Sequence, residues 1–301
     1  MQQPLVKAAA ALLRAYYRHV PLAAGKRLVW YHAVCPLLQS GAAMQARTWF
    51  GARMGVRFPD TIQTYVYFFG VWEPAITAYL AATLAPGDTV IDIGANVGYH
   101  TLLAAHCVGA TGRVYAIEAS PRIFSLLQQN LALNDTSRVE AFNVAVCAES
   151  CDVPVFLHDD TNLGGTTIVP AVADRCGAVQ EAVVSGRALT DILPVAAVLS
   201  ARMIKIDVEG AEHLVVRGLQ PLLPLLSQRT ELLIEVSAEG LHAHGSSVAD
   251  FLRAFRSVGF QTYAIDNRYT VDMYLEKAVA RPEPLEGCAF EQLDVVFRRP
   301  V

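Results

Sequence analysis

The 301-residue sequence has no run of about 20 uninterrupted apolar residues, so no transmembrane helix is expected. Its six cysteines form no CxxC and no zinc-ligand spacing, and Cys147 and Cys151 are the only close pair. In a chain this long and apolar, that pattern implies mostly buried free thiols in a reducing compartment. Charge is sparse, at 17 % of residues against 53 % hydrophobic, which excludes disorder, collagen and coiled coil and leaves enough apolar material for a sizeable core. With 24 basic and 28 acidic side chains there is no global electrostatic footprint for nucleic acid, and no nucleic-acid partner is expected. Internal repeats and low-complexity linkers are absent. A signal peptide is not expected either, because Arg14 and Arg18 interrupt the first apolar stretch, and serine is too scarce there for a transit peptide. The expected location is cytoplasmic.

One absence is local. Residues 1–59 contain no Asp or Glu but eight basic side chains: Lys7, Arg14, Arg18, Lys26, Arg27, Arg47, Arg53 and Arg57. Such asymmetry points to contact with an anionic surface or ligand. From Leu5 to Val20, apolar residues recur at helical spacing, with Arg14 and Arg18 on another face. This reads as a basic amphipathic helix, either packed on the main body or resting peripherally on a membrane. The expected organisation is a basic helical segment over 1–60 and a larger domain over 61–301.

From residue 60 onward, strand-like and helix-like segments alternate. Strands are predicted at 89–94, 113–119, 139–146, 203–210, 231–236, 261–265 and 293–299, with two short ones around the polar loop in 152–186. Helices are predicted over 99–108, from the Ser120 cap and Pro121 to about 134, over "AEHLVVRGL" closed by Gly218 and Pro221, and over 246–260. This alternation implies an α/β fold with a parallel sheet covered by helices, and a ligand site at the carboxyl ends of the strands.

The first strand ends in Asp92 and runs into Gly94-Ala95-Asn96-Val97-Gly98 before a helix. Glycines allow a tight turn, and the helix start offers free N–H groups. A phosphate loop needs GK[ST] after its second glycine, and none is present. A dinucleotide loop needs G-x-G-x-x-G, but the second and third glycine positions hold Asn96 and Tyr99. This also disfavours a nicotinamide-dependent reductase. The shorter turn suits a ligand without pyrophosphate, such as S-adenosylmethionine (SAM). Glu118 ends the second strand, where a carboxylate can accept hydrogen bonds from both ribose hydroxyls.

The blocks "VIDIGANVGYHTL" (90–102), "GRVYAIEASP" (112–121), "ALTDIL" (188–193), "MIKIDVEGAEHLVVRGL" (203–219) and "LLIEV" (232–236) resemble the FkbM family of SAM-dependent methyltransferases. The family commonly has Glu-Pro after the second strand; here Ala119 replaces the proline. The resemblance implies a class I, Rossmann-like methyltransferase fold: a seven-stranded, mostly parallel sheet whose last strand is antiparallel. It also implies methyl transfer to a hydroxyl of a sugar, glycan or natural product. It assigns Gly94, Asn96 and Gly98 to the methionine end of SAM, Asp92 to loop support or the amino group through water, and Glu118 to the ribose. Asn143 to Ala145 would border the adenine, and Glu73, in "GVWEP", would contact the SAM amino group or simply start a helix.

Lys205, Asp207 and Glu209 alternate along the predicted fourth strand and would share one side. Three ionisable groups on one face of a central strand are costly unless paired or functional. Asp207 is the first candidate for acceptor positioning or general base and Glu209 the second, with Lys205 as counter-ion and Glu235 joining from the next strand. A divalent ion held by Asp207 and Glu235 is compatible with these residue types, but no metal ligand set is assigned. His213, His242 and His244 show no spacing that makes a site. The competing reading is a SAM-binding regulatory or partner subunit without catalysis, which has little need for acids at the methyl end.

Overall fold

The computed structural model describes residues 3–20, 25–275 and 281–300. Seven strands build the main sheet: β1 (Thr89–Ile93), β2 (Arg113–Glu118), β3 (Val139–Asn143), β4 (Met203–Ile206), β5 (Glu231–Ser237), β6 (Gln261–Ile265) and β7 (Gln292–Arg298). Their order is β3-β2-β1-β4-β5-β7-β6, and the two-residue strand Glu283–Pro284 extends the β6 edge. β1 pairs in parallel with β2 and β4, as do β2 with β3 and β4 with β5, whereas β7 runs antiparallel to β5 and β6. This is the sheet the resemblance implied, with one short edge strand added.

The central strands β1 and β4 are almost wholly apolar, as strands covered on both faces must be. Their charged exceptions, Asp92 and Lys205, are direct register partners. The chain leaves β1 toward β2 and β3 on one side and returns at β4 on the other. The strand order therefore reverses between β1 and β4, where an open α/β sheet forms its crevice.

The helix after β2 starts at its predicted cap. Ser120 Oγ accepts from the Ile123 N–H at 3.1 Å, with Pro121 opening the helix Pro121–Ala132. Ser247 caps Val248–Arg256, a shorter helix than the expected 246–260. The helix after β4, Glu212–Leu219, is not closed by Gly218 and Pro221. It continues as a 3₁₀ segment, Gln220–Leu225, whose first turn tolerates Pro221.

Other boundaries also moved. The expected third strand 139–146 is two strands in different sheets. The Asn143 amide donates to the carbonyls of Glu118 and Ala119, both at 2.9 Å, and ties the end of β3 to the end of β2. Beyond it, Ala145–Val146 joins a separate three-stranded sheet with Val179–Arg187 and Cys151–Leu157. β4 stops at Ile206, and Asp207–Gly210 is a turn in which Glu209 has φ +50° and Gly210 φ +94°. The cysteine expectation holds only in part. All six are free, but only Cys147 is buried, and Cys151, Cys176 and Cys288 are exposed on outlying elements.

The N-terminal segment folds as the helix Gln3–His19, short helical pieces between Lys26 and Leu38, and the hairpin Ala43–Arg47/Arg53–Arg57. Val6, Ala10, Tyr17, Trp30 and Val34 share one core with Val97, Tyr99, Leu102, Ile123 and Leu127. The basic face expected of the first helix is turned inward. Arg18 donates to the carbonyls of Arg47, Val66, Tyr67 and Phe68, satisfying the end of the helix Thr61–Phe69. The Arg14 guanidinium lies 4.8 Å from the centre of the Tyr67 ring.

Candidate active site

A cavity of about 650 Å³ opens at the carboxyl ends of β1, β2, β4 and β5. One side is the turn after β1. Gly94 has φ +80°, and a Cβ there would lie 1.7 Å from the Asp207 carbonyl oxygen. The glycine thus lets the turn after β1 and the turn after β4 touch, with the Asp207 N–H donating to the Ile93 carbonyl at 3.0 Å. Gly98 has φ +91°, and a Cβ there would meet Leu127 Cδ1 at 2.6 Å. Asn96 sits between them with φ +49°, a conformation Asn tolerates better than most side chains.

Glu118 clamps this turn. Its Oε2 accepts from the Asn96 N–H and its Oε1 from the Ser120 N–H, both at 2.9 Å. A carboxylate has about four acceptor sites, so capacity remains for a bound diol. Burial pushes its carboxyl up to about 7, against the pull of those two N–H groups. Asp92 lies beneath, nearly fully buried. Thr101 Oγ1 donates to its Oδ2 at 2.6 Å, and its Oδ1 has no partner.

The floor is acidic. Asp207, Glu209 and Glu235 each place a carboxylate oxygen within 4.8 Å of the other two, close enough to hold one metal ion. Lys205 Nζ binds Asp207 Oδ2 at 2.8 Å. Burial lowers the affinity of this ammonium for its proton, but Asp207, Asp92 and Glu73 outweigh it and hold the lysine charged. Burial first, then Asp207, raises Glu209 and Glu235 well above the ordinary carboxylate value. The Tyr269 hydroxyl lies 2.9 Å from Glu73 Oε1 and 3.1 Å from Glu235 Oε1, within hydrogen-bond reach of both. Asn267 Nδ2 also donates to Glu73 Oε1, at 2.8 Å. Burial, with Asp207 adding to it, pushes Glu73 up to about 7, and Lys205 opposes both.

The structure therefore gathers Glu73, Gly94, Asn96, Glu118, Ala145, Lys205, Asp207, Glu209 and Glu235 around one space. Asp92, Gly98 and Asn143 are not wall residues. Asp92 is under the floor, Gly98 serves packing against Leu127, and the Asn143 amide is taken up by backbone carbonyls. The strand alternation expected to align Lys205, Asp207 and Glu209 is not what brings them together. Only Lys205 is in the strand; the turn returns the other two to the site.

Sequence reasoning missed Trp72, His100 and Tyr269. Trp72 and Tyr269 are stacked at 5.5 Å in the wall, and buried His100 Nε2 lies 3.6 Å from Glu73 Oε2. Burial, then Lys205, drives the His100 imidazole well below its ordinary pKa, so it is neutral. Trp72 and His100 lie inside the blocks "GVWEP" and "GYHTL". Tyr269 had a weaker signal: the polar stretch "DNRY" just past the end of β6.

An open sheet in this order, with a glycine turn after its first strand and a buried acid ending its second, defines a class I SAM-dependent methyltransferase. Residues 92–262 match the methyltransferase FkbM domain, and the chain belongs to that family. It is 41 % identical over 59 residues to the arsenite methyltransferase of Halobacterium salinarum, a match covering 20 % of this chain and 15 % of that protein. It is 26 % identical over 102 residues to the protein-L-isoaspartate O-methyltransferase of Methanothrix thermoacetophila, covering 29 % of this chain and 49 % of that protein. The chain thus spans less than half the length of either relative. Among solved structures, it is similar to a SAM-dependent O-methyltransferase of Thermotoga maritima at 13 % identity and a TM-score of 0.40, covering 87 % of this chain and 78 % of that one. It is also similar to an rRNA methylase of Streptococcus thermophilus at 13 % identity and a TM-score of 0.41, covering 75 % of this chain and 95 % of that one.

SAM is the cofactor of this fold, and the residues present fit it. Glu118 offers free acceptor capacity to a ribose, Val144, Ala145 and Val146 make an apolar wall beyond it, and the unpartnered Asp92 Oδ1 lies beneath the turn.

Proposed function

We propose that the protein transfers the methyl group of SAM to a hydroxyl oxygen of a small, uncharged, hydroxyl-rich acceptor: a sugar, a glycan or a natural product. The observation that carries this reading is the carboxylate trio of Asp207, Glu209 and Glu235 beside the glycine turn. A protein that only bound SAM would not need three acids crowded at that end.

The acceptor class is read from the wall. Among the described residues, Lys205 is the only Lys or Arg lining the cavity, and it is already paired with Asp207. A polyanionic acceptor would find no cation to meet its phosphates, which disfavours nucleic acid. The wall instead offers Gln39, Asn162, Thr166, Thr167 and Gln292, together with the Trp72–Tyr269 plate. Neutral amides and hydroxyls beside an aromatic surface suit a hydroxylated ring.

When bound, SAM supplies an electrophilic methyl carbon on a cationic sulfur. The protein's contribution is then largely positional. Glu118 and the backbone from Gly94 to Val97 hold one reactant while the polar wall holds the other. Such alignment can contribute about 7–11 kcal/mol. A sugar-like hydroxyl is a weak nucleophile at neutral pH, and Asp207 is placed to take its proton as the oxygen–carbon bond forms. Lys205 occupies one Asp207 oxygen and leaves the other to the acceptor. General-base assistance of this kind is worth roughly 10²–10⁴-fold.

Asp207→Asn is expected to lower turnover by about 10²-fold or more while leaving SAM affinity nearly unchanged. S-adenosylhomocysteine release with a panel of hydroxylated acceptors measures the first, and titration calorimetry the second. Normal turnover in that variant would remove Asp207 from the mechanism. Tight SAM binding without transfer to any acceptor in the panel would favour a binding subunit.

A further inference from the structure

The first helix, Gln3–His19, buries Val6, Ala10 and Tyr17 and turns Arg14 and Arg18 onto the hairpin and the helix Thr61–Phe69. Its outward face follows from the same 3.6-residue period. Leu5, Ala8, Leu12 and Ala15 point away from the body, Leu5 being 64 % and Leu12 74 % exposed. A surface helix ordinarily carries its polar residues on that side. Here the two faces are both apolar, and no charged side chain interrupts the outward one. The next helical pieces also expose Leu28 (64 %) and Tyr31 (54 %), there beside an exposed Arg27 paired with Asp272 at 3.6 Å.

The surroundings select the occupant. Residues 1–59 hold no acidic side chain; Lys7 on the helix itself and Arg47, whose carbonyl Arg18 holds, remain exposed, whereas Arg53 is tied to the Leu133 carbonyl and Arg57 lies beside Asp60 and Asp160. A second copy would bring two like-charged segments together. Four small or medium side chains also fall far short of the roughly 1,200–2,000 Å² that a stable protein interface buries. A bilayer with anionic headgroups satisfies both features, taking the leucines into its interfacial region and the basic rim among its phosphates. No described helix is long and apolar enough to cross a membrane, so the contact lies along the surface.

We propose that the outward face of the first helix, Leu5-Ala8-Leu12-Ala15, seats this protein on an anionic lipid surface. This inference does not depend on the identity of the methyl acceptor. The same N-terminal segment lines the cavity through Cys35, Leu38 and Gln39, whereas Leu5, Ala8, Leu12 and Ala15 do not line it.

The test is co-sedimentation of the full chain with vesicles of phosphatidylcholine and phosphatidylglycerol, and with vesicles of phosphatidylcholine alone. The mixed vesicles are expected to bind it, added salt to weaken the binding, and phosphatidylcholine alone to bind less. A double variant, Leu5→Glu with Leu12→Glu, should lower partitioning by about tenfold or more. Its melting temperature and SAM affinity should match those of the parent, because neither leucine is buried or lines the cavity. The proposal is overturned if the parent stays in the supernatant with both vesicle types, or if parent and double variant sediment alike. A concentration-dependent dimer in sedimentation velocity that the double variant abolishes would overturn it in favour of a second copy. Failure of the parent to bind SAM would count against the methyl-transfer reading and leave the lipid test standing.

Discussion

At the scale of the residue, the site is dominated by carboxyl groups in surroundings that resist ionisation. Burial holds Glu73, Glu118 and Glu212 each up to about 7. In the unfolded chain these groups ionise near the usual glutamate value of about 4.3. Between those values the native protein binds more protons than the unfolded one, so stability falls as pH rises through that window. Urea denaturation midpoints are therefore expected to drop from the acid to the neutral side of it. Glu212→Gln should flatten part of the slope without touching the cavity wall. A midpoint that rises across the window would show that these carboxyls ionise freely in the native state. Residue identity was readable in advance where a type is rare in its setting: an acid after a strand, a lysine within an apolar strand. Tyr269 was not, because a tyrosine in a polar loop has many ordinary uses, and only the folded chain brings its hydroxyl against Glu73 and Glu235.

At the scale of the element, the informative feature is the contact between two turns. Gly94 was expected to leave room for a ligand. The structure shows that it first leaves room for the Asp207 carbonyl. Gly94→Ala is expected to cost about 3 kcal/mol or more and to abolish SAM binding, because the overlap is with backbone that has nowhere to go. Gly87→Ala makes a control. It has a similar φ of +91° but only Thr111 Oγ1, at 3.6 Å, near the added methyl, so it should cost about 1 kcal/mol and leave SAM binding intact. Urea denaturation and calorimetry on both variants separate the close approach from the backbone conformation. Element type and sheet order were legible because apolar runs, caps and proline positions agree with one another. Boundaries were less so. β4 ends after its last ladder bond, from the Asp207 N–H to the Ile93 carbonyl, because the chain then turns through Glu209 and Gly210 at positive φ, and β3 ends where Asn143 engages the end of β2. The second stop is a long-range contact with no local signature. The inward turn of Arg14 and Arg18 is of the same kind. Helical periodicity shows that they share a face, but not that the carbonyls of a later helix wait there.

At the scale of the molecule, the N-terminal segment and the methyltransferase sheet share one packed interior, although charge composition changes abruptly at residue 60. Deleting residues 1–59 would remove Val6, Ala10, Tyr17 and Trp30 from against Tyr99, Leu102 and Ile123, and would take Cys35, Leu38 and Gln39 from the cavity wall. The shortened chain is expected to aggregate or to melt well below the parent, with SAM affinity lost, by scanning calorimetry and titration. A truncated chain that melts and binds like the parent would show that the segment is an appendage. The crowd of acids around Lys205 carries a further consequence for the catalytic cycle. Asp207, Asp92 and Glu73 act on one ammonium, and Glu209 and Glu235 lie beside Asp207, so each carboxyl that ionises beyond Asp207 leaves an unmatched negative charge in the basin. A sulfonium entering it is electrostatically welcome, whereas the thioether left after transfer is neutral and has lost that attraction. Under the proposed reaction, carboxyls ionised beside the Asp207–Lys205 pair would thus favour charging with donor over retention of the demethylated product.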